Sequence, residues 1–314
     1  MRLTLLAAVL SLAFIGTPAL AQSAAEAKAL ATLSSDAIAR LPAKKVFGAQ
    51  KGPANLAPRA IGSYAKGCLA GGKALAVDGP AWQVMRLSRN RNWGHPQMVA
   101  IVERLAVESK KHDGWNGLLV GDLAQPRGGP MLSGHASHQV GLDADVWLTP
   151  MPDRTLTRRE REDISATLVV KDRKAMNYKV WTEAHARLLK RAASYPEVAR
   201  LFVHPPIKAE LCKWATGDRS WLAKVRPYYG HNYHFHIRIK CPKGSEGCKN
   251  QAPARPKDGT GCGEELAYWM GDVPWVPKKK PEKKKDPNAK PPKPAPAMTI
   301  AALPAECRTV VTAE

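Results

Sequence analysis

Two short stretches with a strict two-residue alternation constrain this chain more than any other feature. In Gly141-Leu-Asp-Ala-Asp-Val-Trp147, the side chains of Asp143, Asp145 and Trp147 alternate with Leu142, Ala144 and Val146. In His234-Phe-His-Ile-Arg-Ile239, His234, His236 and Arg238 alternate with Phe235, Ile237 and Ile239. Successive side chains of a strand point to opposite faces, so each stretch reads as a strand with one apolar face for a core and one polar face for a site. If the two lie side by side, Asp145, His234 and His236 converge, and His135 or His138 reaches in from the loop before the first strand.

Imidazoles gathered around one carboxylate suit Zn²⁺. That ion takes three such ligands at about 2.0 to 2.2 Å and keeps a further position for water, whose pKa falls to about 7. The spacing is H-x-x-H-x6-D at His135, His138 and Asp145, followed by H-x-H at His234 and His236. No H-E-x-x-H occurs, which excludes the commonest helical zinc-peptidase arrangement. His95, His112, His185 and His204 read as capping or packing residues, and Asp143 as a supporting or turn residue rather than a ligand.

Around these strands the pattern is mixed. Residues 82–86 and 117–123 read as strands, 126–130 as a turn, 139–148 as the first site strand, 199–204 as a short strand and 233–240 as the second site strand. Met98, Ile101, Val102, Leu105 and Ala106 recur at helical spacing over 96–111, with Pro96 suited to the first turn, and 178–193 is an amphipathic helix candidate. Strands and helices without strict βαβ alternation favour an α+β fold built on an antiparallel sheet with flanking helices. Residues 22–58 are Ala- and Lys-rich and read as a lead-in outside the core, and 59–272 as the one domain. Residues 273–298 are dominated by Pro and Lys and read as an extended linker; 299–314 read as a segment tied back through Cys307.

Residues 1–21 have Arg2 before an apolar run and end in Ala19-Leu-Ala21, the pattern of a cleavable Sec-type signal, so export is expected. No later stretch is long and apolar enough to span a membrane. All six cysteines lie beyond residue 21, and an even number in an oxidising compartment reads as disulfides. A formal net charge of +21 suggests a polyanionic partner or simply a solvated basic surface. Export argues against nucleic acid and favours envelope polymers.

SGHASHQVGLDADV from Ser133 and GHNYHFHIRIKCP from Gly230 resemble the penicillin-insensitive murein endopeptidases, relatives of the lysostaphin-type and D-alanyl-D-alanine metallopeptidases. The likeness extends to WQVMRLSRNRNWGHPQMV from Trp82, to Gly121-Asp122, to the RGG at Arg127 and to LCKWATGDRSWLAKVRPYYGH from Leu211, covering roughly residues 68–269. It implies the metallopeptidase core of that group, with one zinc bound by His138, Asp145 and His236, and His135 in or near the inner sphere. It further implies proton handling by His234 and His231, and disulfides Cys68–Cys307, Cys212–Cys262 and Cys241–Cys248. The family also carries a second, interfacial zinc on an aspartate and a histidine three residues later. Asp172 matches, but Ala175 stands in place of the histidine, so that ion and a zinc-bridged dimer are not expected here, while a homodimer of another kind stays open.

The activity so implied is periplasmic hydrolysis of the D-alanyl to meso-diaminopimelyl cross-link of peptidoglycan, insensitive to penicillin because no serine is acylated. Arg86, Arg89 and Arg127 are candidates to hold substrate carboxylates bidentately, or are plain surface charges. The rivals are a zinc D-alanyl-D-alanine carboxypeptidase and a non-catalytic peptidoglycan-binding protein.

Overall fold

The computed structural model describes residues 30, 32–276 and 297–313. The signal at 1–21 and most of the Lys/Pro-rich segment lie outside the described residues. Among these, no helix is long and apolar enough to cross a membrane.

A seven-stranded sheet organises the chain. Its strands are β4 (Asp78–Gly79), β5 (Trp82–Val84), β7 (Leu118–Val120), β8 (Asp143–Pro150), β9 (Val198–Val203), β10 (Val225–Pro227) and β11 (His234–Ile239), in the order β10-β9-β11-β8-β7-β5-β4. The α+β class holds, but the sheet is mixed rather than antiparallel. β5 and β7 run parallel, as do β9 and β10. Each parallel pair is joined through a helix, α3 (Pro96–His112) or α6 (Pro205–Trp214), and a helical crossover returns the chain in its starting direction.

One face of the sheet is covered. Leu118, Val120, Ala144, Val146, Phe235 and Ile237 pack there against Met98, Val102 and Leu105 of α3 and Leu188, Leu189 and Ala192 of α5 (Glu183–Ser194). Pro96 opens α3, and His95 caps it by accepting the Gln97 N–H. The helix expected from 178 starts only at Glu183, because Val180 and Trp181 donate back to the Asn177 carbonyl in a turn and His185 closes the Thr182 cap. β8 likewise starts at Asp143 rather than 139, since Gly141 has φ 69° and breaks the extended run.

A second layer joins distant parts of the sequence. The hairpin β1 (Arg59–Ser63) and β2 (Lys66–Ala70) packs with α1 (Ser35–Arg40), α2 (Ala43–Ala49) and α8 (Glu306–Thr312), burying Ile38, Phe47, Ile61, Val310 and Val311. Residues 35–49 of the lead-in are thus helical and contribute to this core, which corrects their reading as a segment outside it. Phe47 packs so closely on Gly129, at φ 72°, that a Cβ there would meet the ring at 2.1 Å. Residues 273–275 also depart from the linker reading. They form a 3-10 turn whose Trp275 packs 5.0 Å from Tyr229. Near the linker's other end, the Met298 carbonyl accepts the Ala43 N–H.

Three disulfides, Cys68–Cys307, Cys212–Cys262 and Cys241–Cys248, staple the fold in the pairing that the resemblance implied.

Candidate metal centre

β8 and β11 lie at the centre of the sheet as antiparallel neighbours, with His234 opposite Trp147, His236 opposite Asp145 and Arg238 opposite Asp143. The alternate residues Phe235, Val146, Ile237 and Ala144 face the core. A slip of one residue would turn every polar side chain into that core, so burial of the apolar face fixes the register that pairs His236 with Asp145.

Three of the imidazoles near Asp145, those of His135, His138 and His236, are oriented by a second contact. His138, at φ 66°, directs Nδ1 at the Leu123 carbonyl 2.7 Å away, which leaves Nε2 facing Asp145 Oδ1 at 3.5 Å. His236 directs Nε2 at Asp143 Oδ1, 2.9 Å away, which leaves Nδ1 3.1 Å from Asp145 Oδ1 without a hydrogen bond between them. His135 spans Asp122 Oδ2 at 3.1 Å and Asp145 Oδ2 at 3.5 Å. His234 Nε2 stands 3.8 Å from Asp145 Oδ1, and the His231 ring lies 4.9 Å from that of His234.

Donor atoms of His135, His138 and Asp145 lie within 4.8 Å of one another. His138 Nε2 and Asp145 Oδ1 are both buried, and neither makes a hydrogen bond. Buried polar atoms are nearly always paired, so two orphans facing each other among imidazoles fit a cation that both would ligate. These residues could thus hold a divalent metal.

Electrostatics support the same site. Burial pushes the Asp145 carboxyl up, but the neighbouring His138 and His234 outweigh it and hold it well below the carboxylate range. Asp143 is also held low: burial opposes, while the charges of Arg238 and His236 prevail. His236 is held above the usual imidazole value, because the charge and hydrogen bond of Asp143 overcome burial. Burial lowers both His234 and His231, so both are neutral near pH 7.

The cluster opens into a cavity of about 250 Å³, where His135, Asp145 and His234 line the wall together with Arg86, Arg89 and Tyr233. Arg86 sits 5.4 Å over Trp147 and donates to the carbonyls of Arg161 and Ile164, whereas Arg89 pairs with Asp122. Arg127 does not belong with them, which corrects its candidacy for substrate binding. It is buried, and its guanidinium is used up on the carbonyls of Gly52, Val310, Val311 and Ala313.

Sequence reasoning gave Asp122 no role. It accepts from Arg89, Arg91 and His135, and these partners overcome burial to lower its pKa to about 2. Its location follows from the β7–β8 pairing, in which Gly121 N–H donates to the Asp145 carbonyl and Asp145 N–H to the Asp122 carbonyl. No local motif announces that. His185 and His204 take structural places, the first bridging Thr182 and the Leu148 carbonyl, the second at the N-cap of α6.

An α+β sheet carrying a buried His/Asp cluster on its polar face defines a candidate metal-dependent hydrolase. Residues 60–312 match the family model described as penicillin-insensitive murein endopeptidase, and the chain belongs to that family. Proteins of that name from Haemophilus influenzae, Klebsiella pneumoniae and Salmonella paratyphi B are similar to it. The first is 49% identical over 212 residues, covering 67% of this chain and 72% of the relative. The second is 40% identical over 234 residues, covering 74% and 84%, and the third 38% over 259 residues, covering 82% and 92%.

Proposed function

We propose that this chain is a periplasmic zinc endopeptidase that hydrolyses the D-alanyl to meso-diaminopimelyl cross-links of peptidoglycan, on the core shared by lysostaphin-type and D-alanyl-D-alanine metallopeptidases. The observation that carries the reading is the pair of unpartnered buried atoms, His138 Nε2 and Asp145 Oδ1, flanked by His135 and His236 Nδ1. His138, Asp145 and His236 would hold the metal, with His135 in or beside its inner sphere. Membership of a family whose relatives are named murein endopeptidases supports the substrate.

When bound, zinc supplies a Lewis acid for the carbonyl and a water acidified to about pKa 7. The chain's own groups do the rest. His234 and His231, held neutral, accept a proton from the attacking water and return it to the leaving amine. That amine is borne by a carbon that also carries a free carboxylate, and Arg86 and Arg89 face the cavity where it would lie.

The test is to digest purified sacculi and read muropeptides and zinc content from one preparation. Loss of cross-linked dimers, with about one zinc per chain and a drop of orders of magnitude in His138→Ala, is expected. Release of D-alanine alone with dimers intact would make the protein a carboxypeptidase. Binding without any hydrolysis would make it a wall-binding protein.

A further inference from the structure

Beyond the catalytic histidines the surface turns aromatic. The Tyr228 ring lies 6.0 Å from that of His231, and Trp269 lies 5.8 Å from Tyr228 and 5.1 Å from Tyr229. Trp275 and Tyr268 extend the group, 5.0 Å from Tyr229 and 6.0 Å from Trp269 respectively. Interlocking largely edge to face fixes the rings without covering them: Tyr228, Tyr229 and Tyr268 remain 48%, 40% and 51% exposed.

The element that presents Tyr268 and Trp269 has no explanation in the core. α7 (Glu264–Met270) contains no buried residue. It is nevertheless fastened to the body by the Cys212–Cys262 disulfide just before it, by the ion pair of Arg226 with Glu265, and by the fully buried Lys208, whose ammonium donates to the carbonyls of Thr260 and Leu222. A helix with no fully buried residue that is nonetheless tied down at three points is placed to present its surface. An exposed cluster of this kind marks a binding site more often than a chance of packing.

We propose that this aromatic shelf binds the amino-sugar rings of a peptidoglycan glycan strand, next to the peptide held at the metal centre. The inference rests on the endopeptidase reading. Pyranose rings expose apolar C–H faces that stack on flat aromatic faces, a contact that aliphatic side chains cannot offer. The shelf continues without a gap from His231, and the cross-linked peptides of the proposed substrate hang from such strands. A second copy of this chain is the rival occupant, and the experiment separates the two.

The probe is peptide-free glycan strands, titrated against the full mature protein by tryptophan fluorescence. Saturable binding is expected, weakened at least tenfold in the double variant Tyr229→Ala/Tyr268→Ala and restored in Tyr229→Phe/Tyr268→Phe. The alanine pair keeps the main-chain carbonyl of Tyr229 that faces His231. It should still cleave a glycan-free cross-linked peptide dimer within about twofold of the parent rate, which also shows that it folds, and should cleave sacculi more slowly. Absence of glycan binding, or equal affinity in the alanine variant, overturns the proposal. So does a concentration-dependent dimer that the alanine variant dissolves while glycan affinity stays unchanged. Failure of the parent to cleave the peptide dimer refutes the endopeptidase reading instead, and leaves glycan affinity to be read separately.

Discussion

Replacing Asp143 by Asn is the sharpest single perturbation of the centre, because the change keeps the shape and removes the charge. The Asp143 side chain is fully buried and accepts four bonds: from Arg238 Nε at 2.7 Å and Nη2 at 3.1 Å, from His236 Nε2 at 2.9 Å, and from the His138 backbone N–H at 3.0 Å. An asparagine offers one carbonyl, and its amide N–H₂ confronts donors whichever way it is turned. Removing one partner of a buried ion pair costs about 3 to 5 kcal/mol, the penalty here being the stranded guanidinium of Arg238. Both histidines that Asp143 orients are metal-ligand candidates, so affinity for zinc should fall about 10- to 100-fold. Urea unfolding in chelator gives the first number, and competition against a zinc dye the second. The sign with pH also follows. Asp143 titrates below its unfolded value of about 4, so its contribution is complete above that pH and is lost as pH falls through and below it. The parent should therefore lose more stability than the variant on acidification. A variant within about 0.5 kcal/mol of the parent, with unchanged zinc affinity, would refute the view that Asp143 organises the centre.

Arg127→Ala should cost about 2 to 4 kcal/mol by leaving the carbonyls of Val310, Val311 and Ala313 without their donor, and should leave the KM for a soluble cross-linked peptide unchanged; a raised KM would return Arg127 to the substrate. Cys68→Ser/Cys307→Ser should lower unfolding free energy by about 2 to 5 kcal/mol, read from denaturant curves. Burial pushes Lys208 down to about 7, so between that pH and about 10.4 the unfolded chain holds a proton that the folded one does not, and stability should rise with pH across this window. Lys208→Met should flatten that rise in urea midpoints taken at several pH values.

The polar faces of β8 and β11 were legible because alternation is a local property, and a polar side chain in a central strand has nowhere to hide. What the residues alone could not supply was the adjacency. His236 meets Asp145 across 91 positions of sequence, and the pairing depends on a register that only the assembled sheet fixes. The role of Asp122 is hidden for the same reason, since its partners come from two other segments, Arg89 and Arg91 from one and His135 from another. Phe47 follows Val46 in an Ala/Lys background, and nothing local marks it as core, because the surfaces it covers are Gly129 and the far C-terminal helix. Parallel pairing is not legible because α3 carries no mark of the strands it links and the residues of α6 show no helical pattern read from the sequence.

The clasp between Cys68 and Cys307 has a bearing on timing. It joins positions 239 residues apart, and beside it Arg127 grips the last turn of the chain immediately before the loop that carries His135 and His138. Residues delivered last therefore finish a layer begun by those delivered first. Until residues 306–312 are in place that side of the layer is open, and the Cys68–Cys307 bond closes it. The hairpin that bears Cys68 is in this way complete only when a helix more than two hundred residues further on has docked.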